Sequence, residues 1–118
     1  MITLYGIPGC DTVKKARKWL DAHAIAYIFH DYKKQGAPQE RLQEWVSVLG
    51  CDTVLNKRGT TWRKLSEAIK TVELTDTAAV DLMVEHTSLI KRPILEGRGM
   101  LMAGFDEARY GEAFARAA

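Results

Sequence analysis

The chain opens with a short, β-prone apolar run, Ile2 to Tyr5, ended by Gly6-Ile7-Pro8-Gly9. Beyond that loop Val13, Ala16 and Leu20 recur at helical spacing as far as Asp21, so the pattern predicts strand, loop and helix in succession. A second apolar and aromatic run covers Ala24 to His30. About a dozen residues of amphipathic helix separate the two runs, which therefore pair best as parallel strands of a right-handed βαβ unit.

The segment Lys33 to Pro38 is a turn-rich connector, and Pro38 suits the first turn of a helix carrying Leu42, Trp45, Val46 and Leu49 before Gly50 stops it. Asn56 to Thr61 has no period and reads as a loop. Thr75-Asp76-Thr77 then looks like the cap of a helix bearing Ala79, Val80, Met83 and Val84. Ile94 to Glu96 and Met100 to Phe105 flank Gly97-Arg98-Gly99 and predict a β-hairpin, after which Asp106 caps a last helix from Glu107 to Ala117. The order predicts a mixed sheet with helices packed on it, an α/β sandwich of the thioredoxin kind. No internal repeat or linker interrupts it.

Composition narrows the picture. With 118 residues and 47% apolar content the chain matches one domain with one core. A charged fraction of 27%, nine glycines and three prolines exclude a disordered or collagen-like chain. The net charge of +2 is too small to hold a nucleic acid backbone by charge alone, which argues against a nucleic acid partner. No apolar run approaches the roughly 18 residues of a membrane span, and the N-terminus lacks a basic leader, so no membrane partner and a cytoplasmic location are expected. Two cysteines make neither a disulfide framework nor a zinc site, and His23, His30 and His86 lack metal-ligand spacing; no metal is expected.

Chemistry concentrates at Cys10, between a Pro-Gly loop and the first turn of a helix, at the carboxyl end of a strand where α/β proteins place their ligands. Backbone N–H groups without intrahelical partners and the positive end of the helix dipole favour a thiolate there, and Lys14 and Lys15 add positive potential. A buried, inert cysteine is the commoner fate of such residues, but position favours a nucleophile. Cys51, directly after Gly50, reads as structural or incidental. Val13 stands where a Cys-x-x-Cys motif has its resolving thiol, so Cys10 needs an external thiol such as glutathione, or Cys51 brought near by the fold. Asp11 has a sufficient reason in the helix dipole, and Arg17 and Lys18 read as an exposed helix face. Trp19 and Trp45 suit core packing. For Trp62 a cleft-lining role stays open beside packing, as do capping and substrate contact for Thr60 and Thr61.

Three segments, Tyr5 to Ala16, Asn56 to Arg63 and Leu89 to Ile94, together resemble the ArsC/Spx family, in particular its YffB-like branch, with similarity over essentially the whole chain. The resemblance implies a thioredoxin-like mixed sheet flanked by helices, residues 1–118 forming one domain with a helical insertion over about residues 36–88. It implies Cys10 as the reactive cysteine, Pro93 as a cis-proline opposite it, and Arg92 as a holder of an oxyanion or carboxylate, for which a guanidinium fork is suited. Arsenate reductases of the family follow the cysteine with a Ser/Thr-Arg pair and bring further arginines, where this chain has Val13-Lys14, Asn56 and Gly104. Spx-type regulators carry the Cys-x-x-Cys switch that Val13 removes. The expected activity is therefore a glutathione-dependent thiol/disulfide reductase, with Lys14, Arg58, Arg92 and Pro93 binding glutathione as co-substrate and no bound cofactor. Arg63 and Arg98 are further candidates for the same role. The alternatives are arsenate reductase-type oxyanion reduction and a non-catalytic Spx-like regulator that docks on RNA polymerase.

Overall fold

In a computed structural model residues 1–69 and 75–117 are described. Their elements run β1 (Ile2–Gly6), α1 (Asp11–Ala22), β2 (Tyr27–Asp31), α2 (Tyr32–Gln35), α3 (Gln39–Leu49), α4 (Cys51–Val54), α5 (Thr60–Ile69), α6 (Asp76–Glu85), a 3₁₀ turn (Thr87–Leu89), β3 (Ile94–Gly97), β4 (Met100–Ala103) and α7 (Glu107–Ala117). The chain divides into two compact units: Met1–Gln35 with Arg92–Ala118, and Gly36–Lys91. Among the described residues no helix is long and apolar enough to cross a membrane.

The first unit holds a four-stranded mixed sheet in the order β2-β1-β3-β4. β1 and β2 are parallel in the register Ile2↔Tyr27 to Gly6↔Asp31, the βαβ unit that the spacing predicts. β3 runs antiparallel to β1 with Tyr5 opposite Ile94, and antiparallel to β4. The hairpin joining β3 to β4 turns on Arg98 (φ 51°) and Gly99 (φ 76°), two left-handed residues as a type I′ turn requires. On one face of the sheet Ile2, Leu4, Leu95 and Met102 pack with Ala16, Trp19 and Leu20 of α1 and Tyr110 of α7 into the core. Trp19 meets Tyr110 edge-on, ring centroids 5.5 Å apart, and Phe105 meets Tyr110 likewise at 4.8 Å. The joint between β1 and α1 is tight: a Cβ on Gly6 would stand 2.7 Å from Cγ2 of Val13.

The second unit is helical. Leu42, Trp45 and Val46 of α3, Ala79, Val80 and Met83 of α6, and Val54, Leu55, Leu89 and Ile90 are its buried apolar residues. Two predicted caps are present: the Ala78 N–H donates to Thr75 Oγ1 (3.1 Å), and in the first unit the Arg109 N–H donates to Asp106 Oδ1 (3.0 Å).

Three expectations need correction. The second strand starts at Tyr27, not Ala24, because Ala24 and Ile25 finish α1: their N–H groups donate to Asp21 O (3.1 Å) and Leu20 O (3.0 Å), with Ala24 at φ 54°. Thr60 and Thr61 are not loop but the first turn of α5, where Thr61 Oγ1 lies 2.7 Å from Ser88 Oγ. Pro38 is the cap before α3 rather than a residue of its first turn.

Burial pushes the Tyr110 hydroxyl far above the ordinary tyrosine range, opposed only in part by the Arg109 charge. In the unfolded chain this group ionises at about pH 10, so its contribution to folding is whole below about pH 10 and is lost progressively from there through the higher folded value. Urea midpoints measured against pH are expected to decline above about pH 10, and Tyr110→Phe to make the decline shallower. An identical alkaline limb in the variant would mean that Tyr110 ionises as readily folded as unfolded.

Candidate functional site

The site begins where β1 ends. Gly6-Ile7-Pro8-Gly9 carries the chain off the sheet, the Cys10 N–H donates to Ile7 O (3.3 Å), and Cys10 (φ −81°, ψ 126°) takes the N-cap position of α1. Its carbonyl accepts from the Lys14 N–H (2.9 Å), which sets the helix in register. The Cys10 side chain accepts no capping hydrogen bond, so the first N–H groups of α1 are not satisfied by the sulfur and remain for negative charge brought to this end. The thiol is free and half-buried.

Pro93 stands at the same end of the sheet. Tyr5 is paired with Ile94, so the residue before Ile94 lies beside the strand end from which the Cys10 loop departs. The Arg92–Pro93 peptide bond is cis, and the Pro93 carbonyl accepts from the Gly104 N–H (2.8 Å). Arg92 is half-buried and, among the described residues, makes no ion pair. Its charge does reach one neighbour. Tyr32, just past β2, is 2% exposed, and its hydroxyl has no hydrogen-bond partner among the described residues. Burial drives the Tyr32 pKa well up, Tyr5 adds to the rise, and the Arg92 guanidinium opposes it. Tyr32 stacks on Tyr5 at 6.3 Å, and the His30 ring meets Tyr5 at a tilt, centroids 5.0 Å apart.

Lys14 is exposed one turn along α1 and lines a groove of about 690 Å³ that opens at Pro8 and Asp11, on either side of Gly9-Cys10. Cys10, Lys14, Arg92 and Pro93 thus belong to one end of the first unit. Arg58 belongs to the second: it is exposed in the loop before α5, where its N–H donates to Asn56 Oδ1 (3.1 Å). In that loop Lys57 pairs with Asp52 (3.2 Å) and lies 5.6 Å from the Trp62 ring centroid. Arg98, in the hairpin turn, is at the opposite end of the sheet from Cys10. Arg17 is not simply solvated: it sits 4.3 Å over the Phe29 ring and donates from Nε to the Tyr27 hydroxyl (3.1 Å). Sequence reasoning overlooked Tyr32; the available signal was its place one residue beyond a strand parallel to β1, hence at the same sheet end as Cys10. Among the described residues no three His, Cys, Asp or Glu side chains converge as a metal site.

Cys51, the first residue of α4, has a thiol whose pKa is raised first by burial, then by Asp76 and Asp52, with Lys57 opposing. A raised thiol pKa means less thiolate at a given pH and slower alkylation. In a Cys10→Ser protein, mass-resolved alkylation at pH 8 is expected to modify Cys51 more slowly than a free cysteine, and Asp52→Asn to speed it about twofold, the exposed carboxylate being screened. A faster-than-free rate would contradict this account of Cys51.

The ArsC family model matches residues 5–113. Among solved structures, the chain is 49% identical to the YFFB protein, with 96% of this chain and 98% of that one covered at a TM-score of 0.89. It is 45% identical to an arsenate reductase (ArsC) related protein from Brucella melitensis, covering 96% and 93% at a TM-score of 0.73. It is also 32% identical over 109 residues to the global transcriptional regulator Spx of Streptococcus agalactiae, covering 91% of this chain and 78% of the regulator. The chain belongs to the ArsC family, in its YffB-like branch, and has the family's thioredoxin-like fold with an inserted helical part.

Proposed function

We propose that this protein is a thiol-dependent reductase in which Cys10 is the nucleophile and glutathione the electron donor. The observation that carries the reading is the free Cys10 thiol at the N-terminal end of α1, unsatisfied by capping and at the sheet end that bears the cis Arg92–Pro93 bond. The Cys10 thiolate attacks one sulfur of a disulfide R–S–S–R′, forming Cys10–S–S–R and releasing R′–S⁻, which takes a proton. A glutathione thiolate then attacks the Cys10 sulfur, forming Cys10–S–S–glutathione and releasing R–S⁻. A second attacks the bound glutathione sulfur, giving glutathione disulfide and restoring the Cys10 thiolate. Two electrons pass from two glutathiones to the client disulfide.

In this scheme Lys14 and Arg92 hold glutathione's carboxylates, and the backbone before Pro93 pairs with its peptide part. Arg92 suits the task because no carboxylate of the described residues neutralises it. Val13 in the resolving position supports an external second thiol over an internal one. The family's arsenate-related members make oxyanion reduction the neighbouring chemistry, but with Lys14, Asn56 and Gly104 at the expected arginine-bearing places, arsenate is the poorer substrate.

Cys10→Ser is expected to abolish glutathione-coupled reduction of bis(2-hydroxyethyl) disulfide, and Arg92→Ala to lower kcat/KM for glutathione by about ten- to a hundredfold, the value of a charge-assisted hydrogen bond. Chemical-shift titration with millimolar glutathione should perturb residues around Cys10 and Pro93. Absence of any perturbation, with wild-type turnover in Cys10→Ser, would leave the regulator reading drawn from the Spx relative in its place.

A further inference from the structure

Lys14, Lys15, Arg17 and Lys18 put four cations into five consecutive positions of α1, and Ala16 between them is the buried one. In a chain of net charge +2 this is a local feature of one face, not general basicity. Nor does helix stability explain it. Cations are favoured near a helix's C-terminus and anions near its N-terminus, whereas here the lysines cluster in the first two turns, the last turn has no basic residue, and Asp21 stands in it. Arg17 is engaged by Phe29 and Tyr27. Lys14, Lys15 and Lys18 are exposed, and among the described residues none of the three makes an ion pair.

These lysines line one groove whose near end is formed by Pro8 and Asp11, the residues on either side of Gly9-Cys10. The groove of about 690 Å³ opens at Pro8 and Asp11 and runs down α1 past Lys14, Lys15 and Lys18 to Asp21. Lys15 and Lys18 also form the wall of a second groove, of about 680 Å³, which contains Trp19 and Phe105. At a rise of about 1.5 Å per residue, Lys18 lies roughly 12 Å along the helix from Cys10, the span of about four residues of extended peptide. A tripeptide such as glutathione, with its own sulfur at Cys10, ends short of Lys18. The far half of the ridge is therefore left to a longer ligand.

We propose that the outer face of α1 docks the reductase's client, and that the client is a peptide or protein whose disulfide-bonded cysteine is flanked, within about four residues, by Asp or Glu. This rests on the reductase reading above; the thiol exchange at Cys10 is the one already written. Charge complementarity selects the partner: the three unpaired lysines outnumber Asp11 and Asp21 in the same groove, so it meets an acidic segment favourably and repels a basic one.

The test uses the full chain carrying Cys10→Ser and fluorescein-labelled peptides with a central serine flanked on one side by three Glu, three Gln or three Lys. Anisotropy at low salt is expected to show the Glu peptide binding about tenfold tighter than the Gln peptide. The difference should vanish near 0.5 M salt, where screening acts over about 4 Å. Lys15→Gln with Lys18→Gln should reduce the preference about three- to tenfold, and Lys15→Arg with Lys18→Arg should keep it. Equal affinity for the Glu and Gln peptides, or a preference untouched by the Gln substitutions, overturns the docking surface. Turnover of glutathione mixed disulfides of the cysteine-containing peptides by the unsubstituted protein separates the two claims. Turnover without acidic preference removes the surface and leaves the reductase, whereas acidic binding without turnover of any peptide keeps the surface and removes the reductase.

Discussion

The seating of α1 on the sheet is the constraint from which the site follows. Val13, Ala16, Trp19 and Leu20 are buried, and Ala16, Trp19 and Leu20 pack with Leu4 and Leu95 in the core. Burying these side chains decides which way the helix points and therefore where its unsatisfied N–H groups lie. The sulfur needs no elaborate pocket to be distinguished; it occupies the last of the four residues between a strand end and a helix start. The same 3.6-residue period that turns positions 13, 16 and 20 inward turns 14, 15 and 18 outward, so packing and surface charge are two readings of one pattern.

A second strand pairing supplies the other half. Because β3 runs antiparallel to β1, its first residues arrive where β1 finishes, and Arg92 and Pro93 come to the cysteine's end of the sheet without any contact between distant loops being required. β2, parallel to β1, delivers Tyr32 to that end as well. Three strands thus bring a thiol, a guanidinium and a buried hydroxyl together by direction alone, which is how open α/β sheets generally assemble sites at strand ends.

Much of this was legible in the residues because the signals were local. The period of α1, the Pro-Gly loop, the hairpin around Arg98-Gly99 and the caps at Thr75 and Asp106 each have a short-range cause, and each appears in the structure. Errors arose where a local preference met a competing one. Ala24 to Ala26 look β-prone beside Tyr27, but the helix end claims the N–H groups of Ala24 and Ile25 first. Thr60 and Thr61 look like loop residues, yet they serve a helix start. The isomer of Pro93 had no signature in spacing at all and came only with the family resemblance. Arg17 looked solvated because nothing in a sequence says that Phe29 and Tyr27, on a neighbouring strand, will face it.

The contact between Gly6 and Val13 has one more implication. With no room at position 6 for even a methyl group, strand and helix are held like two parts of a bearing machined without clearance. Any side chain at position 6 would press on Val13 and displace the start of the helix that carries the sulfur. What stays adjustable is the helix's outer coat of side chains, where one residue can be exchanged for another while the mounting beneath the sulfur is left undisturbed.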